Sequence, residues 1–390
     1  MKKTLSFLLA LLMIFTIVSC AKDPVAPATT PPPPADSAAP GGSVPTDAPP
    51  AADGSIGYVT DDVDHGARRT YNIVYMNYAP SNLTQQIEDA LNQLGAVYNF
   101  TTENLTANAD SDAYVNNLNT ALIKEPDGVL IDAPQEFAPR IAELVREYDI
   151  PSVALFNKMV DVEGHCLIPG VLMDQYYNGQ RQLEYLDSSY KEFWGDIDRS
   201  EIVFLALDFS SGMDVTLRAQ GALEKFQELY PGNTTYNADS AALNMSPESG
   251  YDITNSIISA HPEVKYWFIV SVVEDLALGA SRAIDALGKT DRVIMTASGA
   301  AILPGEWDNG YDGCWIANYA VSPFLYSGTA MFGLLALIDG RAARETLWPE
   351  YFLNGDEAAR FMLKADMMTH ANYKQYLGDI VRSFGVEFKG

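Results

Sequence analysis

Short apolar runs alternate along this chain with longer stretches whose apolar residues recur every three or four positions. The first run, Tyr71 to Met76, reads as a strand. Leu83, Ile87, Ala90, Leu91 and Leu94 then fall on one face of a helix. Gly95 is expected to end that helix, and Ala96 to Phe100 to form the next strand. Val115, Leu118 and Leu122 mark a second helix, Gly128 to Ile131 a strand, and Ile141, Leu144 and Val145 a third helix. Ser152 to Phe156 is a fourth strand. These strands lack polar alternation, so they are expected to lie in a parallel sheet covered by helices on both faces.

The pattern then restarts. Ile202 to Leu207 reads as a strand and Val215 to Tyr230 as a helix closed by Pro231-Gly232. Helices are expected at 251–260, 276–287 and 324–337, and strands at 266–270, 293–296 and 315–319. The fold class is therefore α/β, with two doubly wound parallel-sheet lobes. Ligands of such sheets lie beyond the carboxyl ends of the strands. A small molecule is then expected between the lobes, since domain interfaces favour such sites.

The chain has 390 residues, of which 47% are hydrophobic, enough for two ordinary domains. A formal net charge of −26 argues against a nucleic-acid partner, which needs clustered Lys and Arg. The N-terminus adds an address. Lys2 and Lys3 precede an apolar stretch, Leu5 to Val18, that is shorter than the roughly 20 residues of a membrane span. Ile17-Val18-Ser19-Cys20-Ala21 resembles a bacterial lipobox, so Cys20 is expected to carry lipid and residues 1–20 to be a lipoprotein signal. A plain secretory signal with a coincidental Cys is the alternative. Residues 21–69, rich in Pro and Ala, read as a disordered tether holding an extracytoplasmic body at a membrane. Cys166 and Cys314 are expected as buried free thiols rather than a bridge.

No phosphate-binding Gly loop, dinucleotide fingerprint, G-x-S-x-G elbow, H-E-x-x-H or C-x-x-C is present. His65, His165, His261 and His370 lie far apart in sequence. No catalytic residue, metal or cofactor is therefore expected. The polar residues that remain cluster where strands end. "IPSVALFNKM" (150–159) stops an apolar strand on an amide and a cation, Asn157-Lys158. Asn77 and Tyr78 end the first strand, Asp132 the third, and Asp208 and Phe209 the first of the second half. Asp214 and Arg218 are spaced i, i+4 near a helix start. Glu274-Asp275, Ser298 and Asn318 follow or end later strands. Each has a bland reading: a turn for Asn157, a surface ion pair for Asp214 and Arg218, a charged helix start for Glu274. Together they suit a polyhydroxylated ligand, because Asn donates and accepts, Asp accepts and Arg donates. Tyr78, Phe156, Phe209 and Tyr319 are candidates for stacking on a ring.

Several strings carry a family resemblance. "VALFNK" (153–158), "DVTLR" (214–218), "WIANY" (315–319), "EDLALGA" (274–280) and "GVLMDQYYNGQ" (170–180) occur in one order. That ordered set resembles the type I periplasmic sugar-binding proteins of bacterial ABC transporters, and most of all the galactose/glucose-binding class. The resemblance covers roughly residues 70–340 and implies sugar contacts from Asn157, Asp214, Arg218 and Asn318. It departs at Val273-Glu274 and at Ser298, where the class carries Asn-Asp and Asp, so a pentose, a modified sugar or an oligosaccharide stays open. The class's calcium loop would fall near Asp196-Ile-Asp198, but Trp194, Ser200 and Trp267 stand at other ligand positions, so no calcium is expected. The ligand set expected on all grounds is Asn77, Tyr78, Asp132, Asn157, Lys158, Asp214, Arg218, Glu274, Ser298 and Asn318. The first lobe is expected to comprise 70–174 with 297–322, the second 175–296 with 323–390. Crossings are expected near Met173–Tyr176, Thr296–Ser298 and Ala320–Pro323. The implied function is capture of a sugar-like molecule by a monomeric, lipid-anchored protein that serves an ABC transporter permease, with no reaction catalysed. A ligand sensor for a chemoreceptor or histidine kinase is the alternative. A secreted enzyme on the same fold is a third reading.

Overall fold

Two six-stranded sheets organise the chain, each with one strand flanked by neighbours that leave it in opposite directions. The computed structural model describes residues 64–211 and 214–388. The signal, Cys20 and most of the expected tether lie outside the described residues. Residues 64–69 do not continue a tether. Arg68 donates to the carbonyls of Tyr98 and Asn99, and Arg69 pairs with Asp127. The folded body therefore starts before the boundary expected at residue 70.

The first sheet is laid down by β1 (Tyr71–Asn77), α1 (Asn82–Tyr98), β2 (Phe100–Thr106), α2 (Ser111–Ile123), β3 (Gly128–Asp132), α3 (Ala138–Glu147), β4 (Ser152–Leu155) and β5 (Gly170–Met173). Ser81 opens α1 with a capping box, its hydroxyl accepting from Thr84 N–H and Thr84 reaching back to Ser81 N–H. Gly95 does not end this helix, contrary to expectation. A Cβ there would sit 2.5 Å from the Phe100 carbonyl oxygen, so glycine lets the returning strand pass close. Asn99 supplies the left-handed cap instead, at φ 51°, and its N–H bonds the Gly95 carbonyl.

After β5 the chain enters α4 (Gln175–Trp194) and builds the second sheet: β6 (Ile202–Asp208), α5 (Thr216–Leu229), β7 (Thr235–Asp239), α6 (Pro247–Ala260), β8 (Tyr266–Ser271), α7 (Glu274–Ala286), β9 (Val293–Ser298), α8 (Leu303–Asp308) and β10 (Trp315–Tyr319). Strand order is β2-β1-β3-β4-β5 in one lobe and β7-β6-β8-β9-β10 in the other. The two lobes thus repeat one winding.

The remaining elements are α9 (Pro323–Ile338), β11 (Arg360–Leu363), β12 (Met367–Thr369) and α10 (Tyr373–Ser383). They overturn the expected division after residue 297. β9 and β10 stay in the second sheet, where Met295 and Trp315 are buried in its core. The apolar helix α9 packs on the first sheet, with Leu334 and Leu335 buried among Leu91, Leu94 and Val153. β11 extends the first sheet beside β5, and β12 pairs antiparallel with β10 in the second. The crossings therefore lie at 173–175, 319–323 and 363–367. Thr296–Ser298 is no crossing, because β9 is followed by another element of its own lobe. Among the described helices none is long and apolar enough to cross a membrane. Cys166 and Cys314 are both free and buried.

Candidate functional site

In each sheet the strand order reverses at one strand, β1 in the first and β6 in the second, and ligands of such sheets lie beyond the carboxyl ends at that point. Asn77, the last residue of β1, stands in register with Asp132, the last of β3. Asn77 is 0% exposed, and neither its Oδ1 nor its Nδ2 has a hydrogen-bond partner among the described residues. Burying an unpaired polar group costs about 1–3 kcal/mol. Asp132 is half-buried, and burial lifts its carboxyl from 3.8 to about 7. Tyr78 points elsewhere. Its ring packs against Phe137 and Tyr114, and its hydroxyl donates to the Ala109 carbonyl, so it shores up the first lobe rather than offering a free face.

β4 lies beside β3, with Ala154 opposite Ile131. Its chain then reverses at Phe156, which takes a left-handed φ of 66° while Asn157 N–H bonds the Leu155 carbonyl at 2.7 Å. For a residue with a Cβ this backbone costs on the order of 1 kcal/mol. The reversal explains why an apolar strand stops on Asn157-Lys158: both leave the sheet at its carboxyl edge. The Phe156 ring rests on Tyr326 of α9, with centroids 4.5 Å apart. Lys158 Nζ lies 3.2 Å from Asp214 Oδ2, so a first-lobe strand end meets the second lobe.

Asp214 precedes α5 and does not pair with Arg218 as the spacing suggested. Arg218 is buried and donates to Gln175 Oε1 and the Val272 carbonyl, each at 2.6 Å. With no carboxylate partner in these bonds, burial lowers its guanidinium from 12.5 to about 10. Gly179 makes this arrangement possible. A Cβ there would lie 1.9 Å from the Arg218 carbonyl oxygen, so α4 and α5 touch backbone to backbone.

The other second-lobe candidates are engaged inside their own lobe. Glu274 accepts from the backbone N–H groups of Ala301, Ile302 and Leu303 and from Asn318 Nδ2. Burial lifts its carboxyl to about 7 even against those four donors. Asn318 also donates to the Gly299 carbonyl and accepts from Trp315 Nε1. Ser298 Oγ accepts from Asn178 Nδ2 at 2.8 Å. These three residues shape the wall of the second lobe; Glu274 and Asn318 have little capacity left for a guest, while the Ser298 hydroxyl still has a hydrogen to donate.

Asp161, Glu163 and His165 bring potential metal-ligating atoms within 4.8 Å of one another in the loop after β4. Asp161 Oδ1 already accepts from the N–H groups of Glu163 and His165.

Residues 70–323 match the family model described as the periplasmic binding protein domain. The chain belongs to this family of binding proteins. A curated relative is the L-arabinose-binding periplasmic protein of Escherichia coli K12, 23% identical over 183 residues, which are 46% of this chain and 54% of the relative. The chain thus spans about half the length of that relative. Among solved structures it is similar to an ABC transporter periplasmic solute binding protein from Actinobacillus succinogenes 130z with bound D-allose. That likeness has TM-score 0.64 and 14% identity, and covers 79% of this chain and 100% of the other. It is also similar to a Caulobacter myo-inositol binding protein bound to myo-inositol, with TM-score 0.62, 17% identity, and 80% and 98% covered. Those likenesses carry the fold: two wound lobes with a cleft.

Sequence reasoning missed Gln175, Asn178 and Tyr326, which hold Arg218, Ser298 and Phe156. It also missed Asn82 and Gln86, four residues apart on α1. They donate across the lobes to Asp275 Oδ1 and the Ala301 carbonyl, each at 3.3 Å. An i, i+4 pair of amides at the start of an otherwise amphipathic helix was the only available signal.

Proposed function

We propose that the protein captures a sugar or related polyol between its lobes and delivers it to the permease of an ABC importer. The observation that carries this reading is Asn77, an amide held fully buried beside Asp132 at a switch point with both polar atoms unpartnered. A hydroxyl both donates and accepts, so one ligand oxygen would accept from Asn77 Nδ2 while donating to Asp132, and a second hydroxyl would donate to Asn77 Oδ1. Asn157 and Lys158 follow the end of β4, Asp214 precedes α5 and Arg218 lies in its first turn, and the four supply further polar contacts, while Phe156 offers an apolar face. Glu274, Ser298 and Asn318 stand behind them. The relatives' ligands, L-arabinose, D-allose and myo-inositol, are all polyhydroxylated, and one relative is a transporter component, which favours delivery over sensing.

In this reading Cys20 carries the lipid and the following segment sets the monomeric body off an extracytoplasmic membrane surface. Labelled fatty acid should enter the wild-type chain and not Cys20→Ala. The ligand reading is tested by a thermal-shift panel of pentoses, hexoses, inositols and short oligosaccharides, followed by calorimetry. A binder stabilises by RT ln(1 + [L]/Kd), so at least one member should raise the melting temperature by several degrees. If the whole panel leaves the melt and the calorimeter silent, the ligand class is wrong.

A further inference from the structure

We infer that Glu274 is a positioning residue for lobe closure and holds no ligand. Glu274 is 4% exposed, and both carboxylate oxygens are taken. Oε2 accepts from Ala301 N–H at 2.7 Å and Ile302 N–H at 3.0 Å, and Oε1 from Leu303 N–H at 3.0 Å and Asn318 Nδ2 at 2.7 Å. Loop 299–303 wraps this carboxylate so closely that Gly299, at φ +147°, has room for no Cβ: one would meet Glu274 Oε2 at 2.5 Å. The loop's backbone is thereby aimed by one side chain.

What the loop is aimed at lies on the other lobe. Ala301, whose N–H Glu274 holds, presents its carbonyl to Gln86 Nε2 at 3.3 Å. One turn earlier on α1, Asn82 Nδ2 donates to Oδ1 of Asp275, the residue next to Glu274, also at 3.3 Å. Residues i and i+4 share a helix face, so α1 presents two amides as a unit. Their two acceptors belong to different elements, α7 and the loop after β9, and Glu274 is the group that locks those elements together. The first-lobe partners and the second-lobe acceptors sit on separate sheets, so these bonds exist only while the lobes are together. They favour the closed form whether or not a ligand is present. A larger closed fraction raises apparent affinity in proportion. The inference rests on the reading that ligand is held between the lobes, but not on which ligand it is.

The test therefore uses no ligand. Spin labels at Asp112→Cys on α2 and Gln227→Cys on α5, both exposed, report the interlobe distance in the full chain. Gln86→Ala, Asn82→Ala and Glu274→Gln are compared with the parent, with melts recorded alongside. The parent should show a short-distance population. Each substitution should shift the closed-to-open ratio roughly two- to five-fold toward open, as expected for loss of one such hydrogen bond. Gln86→Ala added to Glu274→Gln should change the distribution little further, because both break one contact. The two α1 variants should leave the melt unchanged. Should Glu274→Gln fail to fold, Glu274→Asp, which keeps the charge and loses reach, is measured in its place with the same expectation. A parent with no short-distance population, α1 variants that leave it unaltered, or a Glu274 variant that lowers the melt without moving the distances overturns the inference. Failure of the sugar panel would leave these distances unaffected, so the two readings fall separately.

Discussion

Lys158 and Asp214 form an ion pair across the cleft, 3.2 Å between Nζ and Oδ2, linking the end of β4 to the approach to α5. Both side chains keep about a third or more of their exposure, at 42% and 32%, so water and salt screen the pair. Such a bond contributes less than about 1 kcal/mol to stability. Its effect on closure is more direct, since it bridges two bodies. Lys158→Ala and Asp214→Ala should each leave the denaturation midpoint nearly unchanged while weakening binding of the panel sugar several-fold. A double-mutant cycle by calorimetry should show coupling at low salt that fades at molar salt. Additive losses would mean that each residue touches the ligand on its own.

The orphaned amide of Asn77 makes a prediction of opposite sign for stability and binding. The ligand-free protein carries the cost of a buried donor and acceptor without partners. Asn77→Leu is close in shape and removes that cost. Unfolding free energy should rise by about 1–2 kcal/mol in denaturant titrations, and sugar binding should fall by at least tenfold. A destabilised variant with intact binding would show that Asn77 serves packing.

Asp132 predicts how binding depends on pH. Burial raises its carboxyl from 3.8 to about 7, so the neutral form prevails in mildly acidic solution. The stability this group contributes is complete below its ordinary value and is lost as pH rises through about 7. A ligand hydroxyl that donates to the carboxylate favours the charged form and so expels a proton. Affinity should therefore climb as pH rises toward about 7 and flatten above it. Calorimetry in buffers of different ionisation enthalpy should detect proton release near pH 7, and Asp132→Asn should abolish both effects. Uptake of a proton on binding would rule out the carboxylate as acceptor.

Much of the fold was readable because a buried parallel strand is an apolar run, and such a run ends where its chain must turn. That rule alone singled out Asn77 and Asp132 as strand ends, and for Asn157 it agreed with the family resemblance. Glu274 and Asn318 were located but their bonding was not, because Glu274 accepts from the Ala301 backbone N–H 27 positions away and from the Asn318 side-chain amide 44 positions away, relations that no local spacing encodes. The helix α4 was overlooked because its polar and apolar residues mix, with Leu183, Leu186, Tyr190 and Trp194 as its large apolar anchors. Lobe membership after residue 297 failed for a related reason. Periodicity identifies α9 as an apolar helix but not which of two similar sheets has room for it. β11 and β12, at four and three residues, are too short to show alternation.

Gly179 tests whether the second lobe's cleft wall depends on helix contact rather than on the polar residues themselves. The helices α4 and α5 meet there with no side chain between them, and Gly221 faces the Tyr176 carbonyl oxygen in the same way, at 2.1 Å for a Cβ. Gln175, one turn before Gly179, and Arg218, which faces it, are the two partners of a 2.6 Å bond. Gly179→Ala would push the helices apart or bend them, at about 1–3 kcal/mol for overpacking. Helical propensity acts in the other direction, favouring Ala by roughly 1 kcal/mol, so the net loss in a denaturant melt should be modest. Displacing Arg218 from Gln175 and the Val272 carbonyl should weaken sugar binding more than the melt reveals, by tenfold or more. Gly250→Ala provides the comparison, because it crowds the corresponding contact with the Leu276 carbonyl between α6 and α7, away from Arg218, with the interlobe distances recorded to read out any effect on the neighbouring Asp275. Equal binding losses in the two variants would show that any loosening of the second lobe suffices, and that Arg218 has no special place in the site.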